Sequence, residues 1–339
     1  MIPVKNNKNL VSLALGPMSP EIIEAVFRYS HFNRKPLMLI ASKNQVDYSG
    51  GYVNNWTTKE YMEFVGEMKN QNPNAEVKIC RDHCGPGFNG NYDITDTYST
   101  IEDDIKNGFD LIHIDFCHFK GTNGERLEAT KKAILHCMDL KPTIQIEIGT
   151  DENTGTNYSL PNIAEWEREI DFFKSFCDPE FYVVQTGTVI KEINQAGSFN
   201  KPFVESVSRM LKSKGLKLKE HNADYLTKDE IKLRGGIVDA VNIAPQLGVI
   251  QTQIVIAKCL VYGIPLDDFL EKVYQGGKWK KWMNKNTPDN KMLCSIIAGH
   301  YHFASPEYAL LIEELAKRED IKESIISIIS DVINHYVQE

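Results

Sequence analysis

Short apolar runs alternate with segments of helical periodicity along the first 245 residues. The runs predict eight strands: Leu10–Leu15, Pro36–Ser42, Ala75–Cys80, Leu111–Phe116, Thr143–Ile148, Phe181–Thr186, Leu216–Glu220 and Ala240–Ala244. Eight successive strand–helix units predict an α/β fold, a (β/α)8 TIM barrel. An open α/β sheet is the alternative that this pattern leaves.

Cap residues indicate where the intervening helices begin. Ser19 is followed by Pro20 and Glu21, which is typical of a helix start with proline in the first turn. Four further pairs fit the capping-box spacing or its asparagine variant: Thr57 with Glu60, Ser99 with Glu102, Asn162 with Glu165, and Thr227 with Glu230. Together these starts support a helix after most of the predicted strands.

Beyond about residue 264 only helical periodicity remains. The predicted helices are Asp267–Tyr274, Asn290–His300, Pro306–Lys317 and Ile321–Val337. We therefore expect residues 1–264 to form the barrel that carries the active site. Residues 265–339 are expected to form a helical C-terminal extension packed on that barrel.

Composition narrows the class of protein. The 339 residues are 42% hydrophobic and 25% charged, as in ordinary globular proteins, and the net charge of -8 does not favour nucleic-acid binding. No apolar run is long enough for a bilayer, and the first ten residues lack the apolar region of a signal peptide. Seven scattered cysteines argue against a disulfide scaffold, so a cytoplasmic location is expected.

Polar side chains collect at the C-terminal ends of the predicted strands, where barrel enzymes carry their chemistry. These ends supply Asn44, Asp82, His83, Asp115, His118, Glu147, Gln185, His221 and Asn242. Barrel closure would bring His83, Glu147 and His221 together. Two imidazoles and a carboxylate suit Zn²⁺ or another divalent cation, and Gln185 is a candidate fourth, neutral ligand.

Other polar residues have simpler interpretations. His113 lies within a strand, which favours a structural role, and His300 and His302 are expected on a helix surface beyond the barrel. Asp82 is a candidate general acid/base, or else a carboxylate that orients a metal ligand. The Trp279–Trp282 cluster is expected to be a packed helix end rather than a nucleic-acid surface.

Six stretches carry a resemblance to a known family. They read ASKNQVDYSGGY, RDHCGPGF, GFDLIHIDFCH, YVVQTG, EHNADY and VNIAP, and they run in order from residue 41 to 245. The chain resembles the class II, metal-dependent ketose-bisphosphate aldolase superfamily, and most closely its tagatose-bisphosphate aldolase branch of noncatalytic subunits. The resemblance implies an oligomeric TIM barrel, dimeric or tetrameric, that acts on a sugar phosphate.

The resemblance also implies roles for individual residues. His83, Glu147 and His221 correspond to metal-binding positions, Asp82 to the acid/base, and Asn242 to an asparagine that contacts the enediolate. Glu152 corresponds to the proton-transferring acid of the mobile loop after strand five, with Asp151 as its competitor. Substrate contacts are expected from Asn44, Gly187, Thr188, Asn222 and Ala223.

Two departures from the catalytic aldolases stand out. Their histidine ligand after strand six is missing from the stretch Thr186–Ile190, and their phosphate-binding glycines near strand seven are replaced by Asn222 and Ala223. Three functions remain open: an aldolase whose enediolate-forming unit is dihydroxyacetone phosphate, a ketose-phosphate 4-epimerase, and a noncatalytic subunit that stabilises an aldolase partner subunit.

Overall fold

The structure is a computed structural model that describes residues 12–150 and 163–337. Its strands are β1 (Ser12–Leu15), β2 (Leu37–Ser42), β3 (Val77–Cys84), β4 (Leu111–Ile114), β5 (Gln145–Gly149), β6 (Phe181–Val183), β7 (Ile190–Lys191), β8 (Asn194–Gln195), β9 (Lys217–Glu220) and β10 (Ala240–Ile243). All eight predicted strands are present. The additional pair, β7 and β8, is a short hairpin outside the barrel.

Helices follow the barrel strands in the order that the sequence predicts. They are α1 (Pro20–Asn33), α2 (Thr58–Gln71), α3 (Ile94–Asn107), α4 (Asn123–Leu140), α5 (Ile163–Lys174), α6 (Lys201–Ser213), α7 (Lys228–Arg234), α8 (Pro245–Tyr262), α9 (Asp267–Gly276), α10 (Lys291–Ala298), α11 (Pro306–Ala316) and α12 (Ile321–Val337). Two 3₁₀ turns, Lys278–Lys281 and Gly299–His302, separate the last helices. None of the helices in the described residues is long and apolar enough to cross a membrane.

Eight parallel strands close into a ring. The order is β1-β10-β9-β6-β5-β4-β3-β2, and β1 pairs with both β10 and β2. The predicted TIM barrel is therefore confirmed, and the open sheet is excluded. Because every strand runs in the same direction, the C-terminal ends of all eight meet at one mouth.

Helix starts agree with three of the predicted caps and contradict one. Ser19 accepts a hydrogen bond from the Ile22 N–H, and complete capping boxes form at Thr57 and at Thr227. The prediction at Ser99 is wrong: Ser99 lies inside α3, whose cap is Asp93. The α3 start escaped the pattern because an aspartate cap needs no glutamate three residues later. Asn162 lies outside the described residues.

The helices beyond residue 264 pack back onto the barrel. Helix α12 lies against α1, where Arg28 forms an ion pair with Glu323 and the Tyr29 hydroxyl donates a hydrogen bond to Asn334. At its far end the Tyr336 hydroxyl donates to the Ala223 carbonyl in the loop after β9. Before α12, the segment 276–302 crosses the barrel mouth and forms part of its cavity wall.

Candidate active site at the barrel mouth

A bulge in β3 places two neighbouring side chains at the mouth. The pairing of β3 with β4 shifts between Arg81 and Cys84, and His83 adopts a φ of 44°, a left-handed conformation that is rare for histidine. Asp82 and His83 therefore both line the mouth cavity, although strand neighbours normally point to opposite sides. The sequence pattern predicted a strand that ends at Cys80, just before both residues, whereas β3 continues to Cys84 and contains them.

His83 is held by a carboxylate that fixes its tautomer. Its Nδ1 lies 2.8 Å from Oδ2 of Asp115. That oxygen also accepts from the Thr150 hydroxyl, and Oδ1 of Asp115 accepts from the Cys117 N–H. Burial raises the pKa of Asp115, but the hydrogen bond and charge of His83 outweigh burial and bring that pKa to about 2. Since an ionised carboxylate only accepts, Nδ1 of His83 carries a hydrogen, and in the neutral ring Nε2 then offers a lone pair.

His221 is oriented in the same way by a different carboxylate. Its Nε2 lies 3.4 Å from Oε1 of Glu147, and its Nδ1 lies 3.2 Å from Nε2 of His83. Burial lowers the pKa of His221 to about 4, which keeps the imidazole neutral near pH 7. With the hydrogen on Nε2, the lone pair of Nδ1 points at the lone pair of His83.

Asp82 completes a triangle with the two imidazoles. Its Oδ1 is buried, has no hydrogen-bond partner among the described residues, and lies 3.6 Å from Nε2 of His83 and 3.8 Å from Nδ1 of His221. Burial raises the pKa of Asp82, but the neighbouring histidines outweigh it and hold that pKa far below its usual range. Ligand atoms around a tetrahedral Zn²⁺ with bonds of ~2.0–2.1 Å lie about 3.4 Å apart. The triangle therefore fits a divalent cation.

Glu147 lies one layer below this triangle. Both Glu147 and Lys219 are fully buried, and Nζ of Lys219 lies 2.6 Å from Oε2 of Glu147. Burial raises the pKa of Glu147, but the charge of Lys219 outweighs burial and brings that pKa to about 2. Its contacts are those of a group that orients His221, although His113, Glu147 and His221 also lie close enough to share an ion.

His113 is the central residue that the sequence treated as structural. Its Nε2 donates to the Gly149 carbonyl at 2.9 Å, so its Nδ1 is an acceptor, and that atom faces the backbone N–H of His83 at 3.3 Å. His113 thus supports the unusual backbone of His83. Its Nδ1 also lies 3.6 Å from carboxylate oxygens of Asp82 and of Glu147.

The remaining predicted site residues divide by whether they reach the cavity. Asn44, Asn222 and Asn242 line it, and both polar atoms of the Asn242 side chain are buried without a hydrogen-bond partner among the described residues. Ala223 is buried away from the cavity, and Glu152 lies outside the described residues.

The polar groups of the loop after β6 form hydrogen bonds within the loop and with the segment after β9. Oε1 of Gln185 accepts from the Gly187 N–H at 2.7 Å, and the Thr188 hydroxyl donates to the His221 carbonyl at 2.9 Å. None of Gln185, Gly187 and Thr188 is among the residues that line the mouth cavity. The sequence placed them near the site, and the structure gives them contacts that stabilise the loop.

The cavity has a volume of about 820 Å³. The barrel forms one of its walls, and the C-terminal extension forms the other. That wall contains Gly276, Lys278, Lys281, Trp282, Tyr301 and His302. The expectation that His300 and His302 are helix-surface residues is wrong: His300 is fully buried and His302 faces the cavity. Sequence periodicity missed them because 3₁₀ turns, rather than a regular helix, carry them.

A parallel eight-stranded barrel with imidazoles and carboxylates at the C-terminal mouth defines a TIM-barrel protein with a candidate metal centre. Residues 4–134 match the family described as D-tagatose-1,6-bisphosphate aldolase subunit GatZ/KbaZ-like. The resemblance to tagatose-bisphosphate aldolase subunits that the sequence indicated is thereby confirmed over this part of the chain.

Solved structures share the whole fold. A probable tagatose 6 phosphate kinase from Sinorhizobium meliloti 1021 is 17% identical with a TM-score of 0.79, over 96% of this chain and 99% of that one. Fructose-bisphosphate aldolase from Campylobacter jejuni is 14% identical with a TM-score of 0.61, over 96% and 90%. The YdjI aldolase from Escherichia coli K12 is 15% identical with a TM-score of 0.55, over 93% and 95%. At these identities the likeness establishes a shared barrel fold.

Proposed function

We propose that this protein is a divalent-metal-dependent lyase of the aldolase type that acts on a ketose phosphate. The observation that carries the proposal is the close approach of two imidazole nitrogens, Nε2 of His83 and Nδ1 of His221, which lie 3.2 Å apart and would both present lone pairs in the neutral rings. Each ring donates its other N–H to a carboxylate, so neither has a hydrogen left for the other. A cation bound between the two nitrogens would remove the repulsion between their lone pairs.

The charge balance among the acidic and basic groups at the floor of the cavity, Asp82, Asp115, Glu147 and Lys219, supports the same proposal. Asp82, Asp115 and Glu147 are held ionised, as their low pKa values indicate, and Lys219 is the cation that pairs with Glu147. With His83 and His221 neutral, two negative charges remain uncompensated in a buried setting, which is costly unless a cation binds. A divalent ion held by His83, His221 and Asp82 would balance them, with Asp115 and Glu147 orienting the two rings.

The chemistry assigned to the chain follows from what surrounds this position. A divalent ion bound there would polarise the carbonyl group of a ketose phosphate. In the cleavage direction, Asp82 accepts the proton of the C4 hydroxyl while the C3–C4 bond breaks and an aldehyde leaves. The electron pair of that bond remains on the triose phosphate unit, dihydroxyacetone phosphate after protonation at C3.

Asn242 and Glu152 complete the assignment. The buried Asn242 amide, with no partner among the described residues, is placed to donate a hydrogen bond to the oxygen that gains charge. Glu152 is proposed as the acid that protonates C3, on the resemblance described above. Asn44 and Asn222 line the same cavity and are proposed to contact hydroxyl groups of the sugar.

The test is metal analysis of the purified protein beside His83→Ala and His221→Ala. We expect one divalent ion per chain in the wild type and its loss in both variants. His136→Ala is the matched control, because His136 is a surface residue that pairs with Glu102. A wild-type protein without bound ion, or alanine variants that retain it, would contradict the proposal.

Activity is read separately from ion content. The metal-loaded protein should exchange the enolisable hydrogen of dihydroxyacetone phosphate with deuterium from solvent and should release triose phosphate from a ketose phosphate. A C4 epimer without free triose would instead indicate the epimerase reaction.

A second candidate is a noncatalytic subunit that stabilises an aldolase partner. The family match to an aldolase subunit favours it, and so does the engagement of Glu147 by Lys219, which occupies a carboxylate expected to bind metal. In that case the chain alone would hold no ion and exchange no hydrogen, and adding it would raise the thermal stability of an aldolase subunit. Homo-oligomer formation remains a proposal from the resemblance.

A further inference from the structure

The mouth cavity carries opposite charges on its two walls. The Asp82 carboxylate lies on the barrel side, whereas the ammonium groups of Lys278 and Lys281 lie on the side formed by the extension. No carboxylate of the described residues forms an ion pair with either lysine. A cavity built this way suits a ligand whose anionic group lies away from the barrel floor.

Lys281 is held in position by aromatic rings. Its Nζ lies 4.6 Å from the ring centre of Trp282 and 5.3 Å from that of Tyr301. These rings restrict the long side chain without neutralising its charge, which leaves the ammonium free to meet an anion. The position is therefore set before a ligand arrives.

Two buried donors accompany the lysines. Nε1 of Trp282 and Nε2 of His302 are buried and have no hydrogen-bond partner among the described residues. Gly276 allows the His302 ring to approach, since a Cβ at that position would lie 2.6 Å from Nε2. Buried polar atoms are normally satisfied, so atoms of this kind on a cavity wall indicate a ligand or ordered water.

The short hairpin braces this wall. The Lys191 ammonium donates to the Lys281 carbonyl at 3.3 Å, and the Glu192 N–H donates to the Trp282 carbonyl at 2.8 Å. The loop after β6 therefore stabilises the lysine-bearing segment, while its own donors near Gly187 are engaged within the loop.

We propose that Lys278, Lys281 and His302, with Nε1 of Trp282, form the binding site for the phosphate group of a phosphate monoester. The proposal deepens the function above by placing the phosphate on the extension, and it rests on that function only for the sugar that bears the phosphate. The lysines supply charge, and the two ring nitrogens supply directed hydrogen bonds to phosphate oxygens. The barrel floor is left for the carbonyl end of the substrate.

Calorimetric titration of chelator-treated protein with glycerol 3-phosphate, an unreactive phosphate monoester, tests the site. Inorganic phosphate and glycerol are titrated in parallel to separate the phosphate group from the polyol. We expect glycerol 3-phosphate to bind, and Lys281→Gln and Lys278→Gln each to weaken binding about tenfold or more. Lys280→Gln is the matched control, because Lys280 lies in the same 3₁₀ turn but does not line the cavity.

Each other outcome overturns the proposal. Equal weakening in all three lysine variants would show a response to net charge alone, and unchanged binding in Lys278→Gln and Lys281→Gln would exclude these side chains. Glycerol binding as tight as glycerol 3-phosphate would exclude a phosphate site. Thermal unfolding of each variant shows that it is folded.

Failure here is distinguishable from failure of the proposed function. His83→Ala should lose the divalent ion and still bind glycerol 3-phosphate, whereas Lys281→Gln should keep the ion and bind the ester weakly. Ion content and ester affinity are therefore two independent readouts. Loss of ester binding in His83→Ala would overturn the placement of the phosphate on the extension.

Discussion

His83 combines an unusual backbone with a precise side-chain setting. Its φ of 44° is outside the common regions for a residue with a Cβ, and such conformations persist only where surrounding contacts enforce them. His113 provides one of these contacts by facing the His83 N–H, and Asp115 provides another through the imidazole. The backbone and the ring are fixed by different neighbours.

We expect His113→Leu to weaken both the fold and the ion site. The substitution leaves the Gly149 carbonyl without its donor and the His83 N–H without its acceptor, at a cost of about 1–3 kcal/mol in the free energy of unfolding. Affinity for the divalent ion should fall about 10–100-fold, as for other supporting residues. Urea unfolding and metal titration measure the two effects. Complete loss of the ion with wild-type stability would instead make His113 a ligand.

Asp224 gives the protein a pH-dependent stability. Its Oδ1 accepts from the N–H groups of Ala244 and Gln246, while Oδ2 is buried without a partner among the described residues. Burial outweighs these hydrogen bonds and raises the pKa of Asp224 to about 7. The folded state therefore binds this proton more tightly than the unfolded state, in which the pKa is about 3.9.

The expected result is a stability that falls as the pH rises from about 4 to about 7 and then levels off, a decline of about 4 kcal/mol at most. Asp224→Asn should remove this decline, because the asparagine side chain keeps an oxygen that can accept the two N–H groups and does not titrate. Urea unfolding between pH 5 and pH 8 measures it. Asp331→Asn removes a charge from the surface of α12 and controls for net charge; a decline of equal size in Asp224→Asn would contradict the assignment.

At the scale of elements, Thr57 and Ser99 both have the capping-box spacing in the sequence, but only Thr57 caps a helix. We expect Thr57→Ala to lower the free energy of unfolding by about 1 kcal/mol, because α2 loses the hydroxyl that accepts the Glu60 N–H. Ser99→Ala should change it by less than about 0.5 kcal/mol, because Ser99 lies inside α3. Thermal or urea unfolding compares them; equal losses would contradict the assignment of caps.

Periodicity was sufficient for the elements and insufficient for the site. Buried parallel strands and amphipathic helices leave strong local patterns, so all eight strands and the four late helices were predicted. The β3 bulge and the 3₁₀ turn at Gly299–His302 leave none, since each depends on packing between distant segments. The position of His83 and His221 at strand ends predicted that they meet. The ion pair of Lys219 with Glu147 could not be predicted, because it joins two strands that are distant in the sequence.

On the scale of the whole molecule, α12 links the C-terminal extension to the barrel. The Tyr336 hydroxyl donates to the Ala223 carbonyl at 2.8 Å, two residues from His221. Ala223 in turn donates its N–H to the Asn242 carbonyl at 2.9 Å. Helix α12 is thus connected to the candidate site through two hydrogen bonds.

We expect Tyr336→Phe to lower the free energy of unfolding by about 1–2 kcal/mol, since the buried Ala223 carbonyl loses its hydroxyl donor. Urea unfolding measures the loss. Tyr262→Phe is a control for the loss of a hydroxyl, because the Tyr262 hydroxyl donates to Glu319 on the surface. Equal stability of Tyr336→Phe and wild type would show that this hydroxyl does not help to hold α12 on the barrel.

The crossing of the mouth by residues 276–302 has a consequence for how the protein is made. A ribosome delivers β10, which closes the ring, long before it delivers Tyr301 and His302. The imidazoles and carboxylates of the barrel mouth are therefore synthesised before the lysines of the opposite wall. In the functions proposed above, the residues assigned to the divalent ion precede those assigned to the phosphate group along the chain.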